Sequence, residues 1–266
     1  MTVVHTLASG SSGNALVVLS GGTRILLDAG ISCRRISAAL AELGLGAGDL
    51  DAILITHTHT DHISGLRTLL KRTDGPVWAT ARAGRELLYR LPEAEGRLCL
   101  AEPGTPFEVG CCSVTAVTTS HDAPGACGYR LDTADGSVGI LTDTGYITDQ
   151  AAELLPGVDL AVLEANHDVE TLRSGPYPYY LKQRILGLEG HLSNGDAAAF
   201  ASLLAERGAS EIVLAHLSRE NNTPVMARTA VETALAGAGL SPLLSVAPRD
   251  TLGPAHVLVR RAVCRR

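Results

Sequence analysis

Between Asp51 and Leu66 the chain reads Asp-Ala-Ile-Leu-Ile-Thr-His-Thr-His-Thr-Asp-His-Ile-Ser-Gly-Leu. A short apolar run leads into H-x-H-x-D-H at His57, His59, Asp61 and His62, and helical spacing follows. Imidazole and carboxylate are ordinary ligands of divalent transition metals. His57 and His59 lie two apart in extended chain, so they leave the same side of it. Asp61 and His62 fall where a helix begins, a place that also favours Asp. Four ligand side chains therefore converge on one loop above a strand end. They cannot all close around one ion in good geometry. His57 and His59 suit one metal, Asp61 and His62 another, and each ion needs further partners from elsewhere in the chain.

Hydrophobic periodicity suggests where those partners sit. Apolar β-type runs at 3–8, 15–19, 23–27, 52–55, 77–79, 160–163 and 212–215 read as strands, with mostly short strands from 97 to 141. Helical patterns run over 34–43, 63–71, 81–90, 194–207 and 224–236. Gly44 fits a helix C-terminus, Ser193 an N-cap and Pro224 a first helical turn. This order predicts two sheets with helices outside them. Three candidate ligands follow β runs, where loops gather into sites. They are His121 in Ser120-His121-Asp122, Asp143 in Leu141-Thr142-Asp143-Thr144-Gly145, and His216 in Leu214-Ala215-His216-Leu217-Ser218.

Composition excludes several classes. The 266 residues are 45% hydrophobic and 19% charged, ample for a core and unlike a disordered chain. We expect one domain over 1–266. No apolar run approaches the ~18–20 residues of a membrane span. Met1 to His5 lack the basic start of a secretory signal, so a cytoplasmic protein is expected. A formal charge of −6 excludes a uniformly basic surface, though not a local basic groove. The six cysteines form no C-x-x-C pair and read as reduced, buried, apolar residues.

The order H-x-H-x-D-H, then His, Asp and His, resembles the metallo-β-lactamase superfamily along about residues 3–256. The resemblance implies an α/β fold, a four-layer αβ/βα sandwich, and two divalent metal ions. On it, His57, His59 and His121 hold one ion, Asp61, His62 and His216 hold the other, and Asp143 bridges them. Asp28, in Leu26-Leu27-Asp28-Ala29-Gly30, supports the metal loop from behind. The lack of Cys at any of these positions argues against the lactam-hydrolysing branch and leaves Mn and Zn both open. Asp61, as a ligand, is expected to be indispensable to catalysis. Glu164 in Leu163-Glu164-Ala165-Asn166 and His191 in Gly190-His191-Leu192-Ser193-Asn194 resemble the proton-transfer pair of the ribonuclease Z pattern. His191 would be the general acid to the leaving oxygen; the alternative for Glu164 is an acid that only orients a histidine. Asn166 and Leu192-Ser193 depart from that pattern, and no arm for gripping transfer RNA is visible.

Seven segments together resemble the WalJ/YycJ group of the superfamily: Ser9-Gly10-Ser11-Ser12-Gly13-Asn14, Leu27-Asp28-Ala29-Gly30-Ile31, the His57 loop, Ser120-His121-Asp122, Glu164-Ala165-Asn166-His167 and the His191 and His216 segments. This resemblance implies a 5′→3′ exonuclease on double-stranded DNA, with manganese, in which a hydroxide shared by the two ions attacks phosphorus. The alternative is a phosphoribosyl cyclic phosphodiesterase of the PhnP type, or another small-molecule phosphodiesterase. The Cys/His cluster for a structural zinc of that type is not visible. A thioester hydrolase and a metal-binding regulator without turnover are the remaining rivals.

Candidate substrate contacts lie in two places. Ser11, Ser12 and Asn14 occupy a Gly-rich turn that either bonds a phosphate or only makes a tight turn. In Pro176 to Arg184, tyrosines and bases interleave, and Tyr177, Lys182 and Arg184 would stack on an end base and meet a phosphate. The alternative there is a helix start packed on the core. Arg260, Arg261, Arg265 and Arg266 read as a solvated tail with weak attraction to DNA.

Overall fold

Alternating strands with both faces apolar can only be satisfied by cover on each side. In the computed structural model, which describes residues 1–259, two seven-stranded sheets meet this need. The first contains β1 (Thr2–Ala8), β2 (Ala15–Ser20), β3 (Thr23–Leu27), β4 (Ala52–Leu54), β5 (Val77–Ala79), β6 (Leu98–Leu100) and β14 (His256–Leu258). Its order is β14-β1-β2-β3-β4-β5-β6. The second contains β7 (Pro106–Val109), β8 (Cys112–Thr118), β9 (Cys127–Thr133), β10 (Gly136–Leu141), β11 (Leu160–Glu164), β12 (Glu211–Ala215) and β13 (Leu243–Val246), in the order β13-β12-β11-β10-β9-β8-β7. Each sheet is antiparallel in one part and parallel in the other, over β3 to β6 and β10 to β13.

The two-residue period sorts side chains between layers. Leu16 and Val18 of β2, and Ile25 and Leu27 of β3, join the core between the sheets, as do Val162 of β11 and Val213 of β12. Val17, Leu26 and Ile53 face outward instead. They pack on α1 (Cys33–Glu42) through Ile36 and Leu40, and on α3 (Leu66–Leu69) and α4 (Ala81–Arg90) through Leu69 and Leu87. Ala161, Leu163, Ile212 and Leu214 pack likewise on α5 (Asp149–Leu154), α8 (Asn194–Glu206) and α9 (Pro224–Gly237). The result is the four-layer α/β sandwich, helix, sheet, sheet, helix. The short helices α2 (Thr60–Ile63), α6 (Val169–Ser174) and α7 (Tyr179–Leu186) border the site.

Parallel strands point the same way, so their C-terminal loops gather at one edge. Asp28 follows β3, His57 follows β4, Asp143 follows β10, Glu164 ends β11 and His216 follows β12. That edge is where the chemistry-bearing residues meet.

The expected helix over 63–71 is instead two single turns, α2 and α3. Gly65 between them is the reason. Its N–H donates to the Ala29 carbonyl at 2.8 Å, and a Cβ there would lie 2.1 Å from the Ile31 carbonyl oxygen. The backbone therefore bends away from a continuous helix to let the Asp28 loop approach. Gly44 (φ +76°), Ser193 and Pro224 take the cap positions expected of them. Cys33, Cys112 and Cys127 are buried, but Cys99 is half-buried and Cys111 is exposed, against the expectation that all are core residues. These five are free thiols; Cys264 and the arginines at 260, 261, 265 and 266 lie outside the described residues. No helix among the described residues is long and apolar enough to cross a membrane.

Candidate metal centre

The ligand side chains that the spacing singled out are brought together. His57, His59 and His121 form one set whose ligand atoms lie within 4.8 Å of each other, and Asp61, His62 and His216 form a second. Asp143 joins both: its carboxylate is 3.2 Å from His62 Nε2, 3.5 Å from His216 Nε2 and 3.7 Å from His121 Nε2. Asp61 Oδ2 is 3.6 Å from both His62 Nε2 and His216 Nε2. His59 turns its Nδ1 inward, 3.2 Å from His121 Nε2.

Buried neighbours fix which nitrogen each ring presents. His62 Nδ1–H donates to Asp28 Oδ2 at 2.7 Å and His216 Nδ1–H to Glu164 Oε1 at 2.9 Å. His121 Nδ1–H donates to the Gly190 carbonyl at 3.1 Å. Thr56 gives its hydroxyl proton to Asp28 Oδ2, so His57 Nδ1–H donates to Thr56 Oγ1 at 3.0 Å. Each of these four rings therefore turns its Nε2 toward the centre, where a metal would replace any proton it carries, the arrangement metal-binding histidines require. His57 Nε2, His216 Nε2 and Asp143 Oδ2 are buried without a hydrogen-bond partner among the described residues. Orphans of that kind are costly unless something electropositive faces them. An all-histidine set beside a histidine–carboxylate set fits divalent cations of the Zn or Mn class.

The backbone shares in this. Among the described residues, Asp28, Asp143 and His216 are the non-glycine positions with positive φ, at 59°, 59° and 56°. Strain of about 1–3 kcal/mol per residue is tolerated where the surroundings over-determine it, commonly at functional sites. Here the restraints are visible: Thr56 N–H and Oγ1 hold Asp28, and Ser9 Oγ accepts from His216 N–H at 2.8 Å.

Charge balance points the same way. Burial alone would lower the pKa of His62 and His216. The Asp143 carboxylate, with Asp28 for His62 and with Asp61 and Glu164 for His216, outweighs it. His62 is thereby raised well above its ordinary range and His216 is pushed up to about 10. His57 goes the other way, lowered well below by burial and by the His62 charge. Burial would raise the Glu164 carboxyl. The charge and hydrogen bond of His191 and the hydrogen bond of His216 hold it at about 2 instead.

Glu164 is fully buried and accepts from His191 Nδ1 at 2.8 Å, His216 Nδ1 at 2.9 Å, Thr144 N–H and Leu192 N–H. It is an acid that orients two histidines, one of them His191. The His191 ring stands between those of His121 and His216, 5.1 and 5.2 Å away, and its side chain is 19% exposed. Its Nδ1 is spent on Glu164, and its Nε2 has no partner among the described residues.

The expected substrate contacts fare differently. Asn14 is buried and built into the scaffold: it brackets Gly10 and sits 3.1 Å from His62 Nε2. Ser11 and Ser12 are exposed on a turn closed by Gly13 N–H to the Gly10 carbonyl. Lys182 gives one ammonium proton to the Arg173 carbonyl at 2.7 Å, near the end of α6. Tyr177 is half-buried ahead of α7, while Tyr179 and Tyr180 beside it are exposed. Arg184 does reach the centre, pairing at 2.5 Å with Asp122, whose other oxygen lies 3.6 Å from His59 Nε2. A cleft of about 630 Å³ opens there between Arg184, Tyr146 and Leu188. Thr56 and Asp122 stood inside motif segments with no role assigned to them, and Tyr146 carried no sequence signal.

Comparison with known proteins agrees with this geometry. Residues 23–217 match the model of the Beta-lactamase superfamily domain. The chain is 41% identical over 238 residues to Exodeoxyribonuclease WalJ of Streptococcus pneumoniae, covering 88% of each protein. It is 37% identical over 233 residues to Exodeoxyribonuclease YycJ of Bacillus anthracis, covering 86% of this chain and 87% of that one. Among solved structures, the metallo-beta-lactamase fold protein YhfI from Bacillus subtilis superposes with a TM-score of 0.73, at 18% identity over 97% of this chain and all of the other, a likeness of fold. The chain is thus a member of the beta-lactamase superfamily, in the family of the WalJ and YycJ exodeoxyribonucleases.

Proposed function

We propose that the protein is a dinuclear metal-dependent phosphodiesterase that shortens DNA from its ends, with double-stranded DNA digested 5′→3′ as the favoured substrate. The observation that carries this is one joined centre: two ligand sets meeting at Asp143, with an unpartnered His191 Nε2 beside them. The likeness to WalJ and YycJ supports DNA as the substrate class.

Under this reading His57, His59 and His121 would hold one ion and Asp61, His62 and His216 the other, with Asp143 serving both sets. Two such ions supply Lewis acidity, a more acidic water and charge stabilisation at phosphorus. Manganese or zinc suits the ligand set. His191 carries a proton at Nε2 and delivers it to the departing 3′-oxygen. Glu164 holds that ring in place and stabilises its cationic form through Nδ1–H. Asp28 and Thr56 keep the metal-facing nitrogens aimed. A reducing cytoplasm suits the exposed free thiol of Cys111.

The test is a panel of end-labelled substrates offered to Mn- and Zn-loaded enzyme: 5′-phosphorylated duplex DNA, single-stranded DNA, RNA and a cyclic ribose phosphate. Stepwise removal of nucleotides from the duplex 5′ end is expected. An untouched duplex with a cleaved cyclic phosphate would assign the protein to the small-molecule phosphodiesterases instead. His191→Ala should retain both ions and fall about 10²–10⁴-fold in turnover. Wild-type rates in that variant would remove the acid role.

A further inference from the structure

One helix beside the centre carries a surface that neither the motifs nor the ligand sets use. α4 is fixed at both ends to metal-bearing loops. At its start Thr80 Oγ1 donates to the Gly125 carbonyl, four residues beyond His121, and accepts from Ala83 N–H. At its end Arg90 Nη1 donates to the Thr58 carbonyl at 2.9 Å, between His57 and His59. The helix is therefore held in fixed relation to the ligand set on both sides.

Its outward face bears Arg82, Arg85 and Tyr89, at spacings that place them in one row. Tyr89 is 88% exposed. Several other arginines of this acidic chain are engaged: Arg67 with Glu93, Arg130 with Asp132, Arg184 with Asp122. Arg82 and Arg85 are both exposed and make neither an ion pair nor a hydrogen bond with the side chains of the described residues. Glu86, the acid next to them on the helix, is paired with Arg90 at 2.6 Å. Arg82, Arg85 and Tyr89 line one groove of about 440 Å³. Arg82 also lines a second cavity of about 440 Å³, which reaches Thr119, Ser120 and His121 and is bordered by Glu102 and Glu189. Arg82 lines both, so the α4 groove adjoins the cavity beside His121.

We propose that this face of α4 is the track for the DNA strand held at the centre, with Arg82 and Arg85 meeting successive phosphates and Tyr89 stacking on an unpaired base. The proposal rests on the nuclease reading above. Free guanidinium groups one turn apart match a polyanion, and an exposed ring suits any base.

Steady-state kinetics on the Mn-loaded full chain test it, with a duplex bearing a short single-stranded end and, separately, bis(p-nitrophenyl) phosphate. The double variant Arg82→Ala/Arg85→Ala should raise KM for DNA about tenfold. It should also flatten the salt dependence of log KM by about two, one for each phosphate that is no longer neutralised. Tyr89→Ala should raise KM for the same DNA about tenfold and Tyr89→Phe restore it. Arg207→Ala, at an exposed arginine past α8 with no ion pair among the described residues, serves as the control and should match wild type. Wild-type KM and salt slope in the double variant overturn the track while leaving the nuclease reading intact. So does an equal fall in activity on DNA and on the small diester. Cleavage of the small diester with no action of wild type on any DNA overturns the nuclease reading and the track with it.

Discussion

Asp28 and Glu164 are buried behind the candidate centre and position its side chains. Asp28 takes three hydrogen bonds, from Thr56 N–H, Thr56 Oγ1 and His62 Nδ1–H. Glu164 takes four and orients one ring from the Asp61 set together with His191. Acceptors behind metal-bound histidines commonly contribute 10–100-fold in affinity. We expect Asp28→Asn to weaken metal binding by about that factor, measured by competition with a chelating dye. Glu164→Gln should differ from His191→Ala: it should reduce both affinity and turnover, since it loosens His216 and His191 together, whereas the His191 variant keeps its metal. Equal metal affinity in Glu164→Gln and wild type would show that His216 is held in place without it. The candidate ligands were legible because so many rare residue types crowd one short loop. Thr56 was not, since a lone Thr after a strand is ordinary; only the fold reveals that one hydroxyl serves Asp28 and His57 at once.

Loops, in turn, rely on close backbone approach. The Asp28 loop and the H-x-H-x-D-H loop are stitched by Ala29 N–H to the His62 carbonyl, Asn14 N–H to the Asp61 carbonyl and Gly30 N–H to the Asn14 carbonyl, each 2.8 Å. A Cβ on Gly30 would fall 1.6 Å from the Asp61 carbonyl oxygen, so no side chain fits. Gly30→Ala should cost about 3 kcal/mol, a fall in thermal midpoint of roughly 6–12 °C, and should displace Asp61. Calorimetry reads the first effect and metal titration the second; an unchanged midpoint would mean that the two loops separate freely. The same approach explains why the periodic stretch 63–71 is not one helix. Its side chains have helical spacing, but Gly65 must meet Ala29 and Ile31, and that contact outweighs the local preference. The strands β13 and β14 escaped sequence reading for a related reason: four and three residues at sheet edges give too few alternations to register.

Across the whole molecule, the centre draws on loops from both sheets, so its charge state bears on stability. His216, at about 10, and His62 both keep a proton at neutral pH in the ion-free protein. Raised folded-state values of this kind stabilise fully below the unfolded histidine value of about 6.5, and that contribution fades as pH climbs toward the folded one. Divalent ions displace those protons, so their binding strengthens as pH rises. The thermal midpoint gap between loaded and chelator-treated protein should therefore widen from about pH 6 to about pH 9. Calorimetric titration in buffers of different ionisation enthalpy should register proton release on loading. A gap that narrows with pH would contradict this charge balance.

Local order was sufficient for the ligand types, the strand alternation that sorts residues between layers, and the caps at Gly44, Ser193 and Pro224, because each depends on near neighbours alone. Packing decided the rest. The fates of Asn14 and Lys182, the double duty of Glu164 and the free row on α4 all turn on partners far away in the chain. Spacing reports which residues share a face; only a folded backbone determines what that face meets, and hence whether a charge is already neutralised or still free to bind.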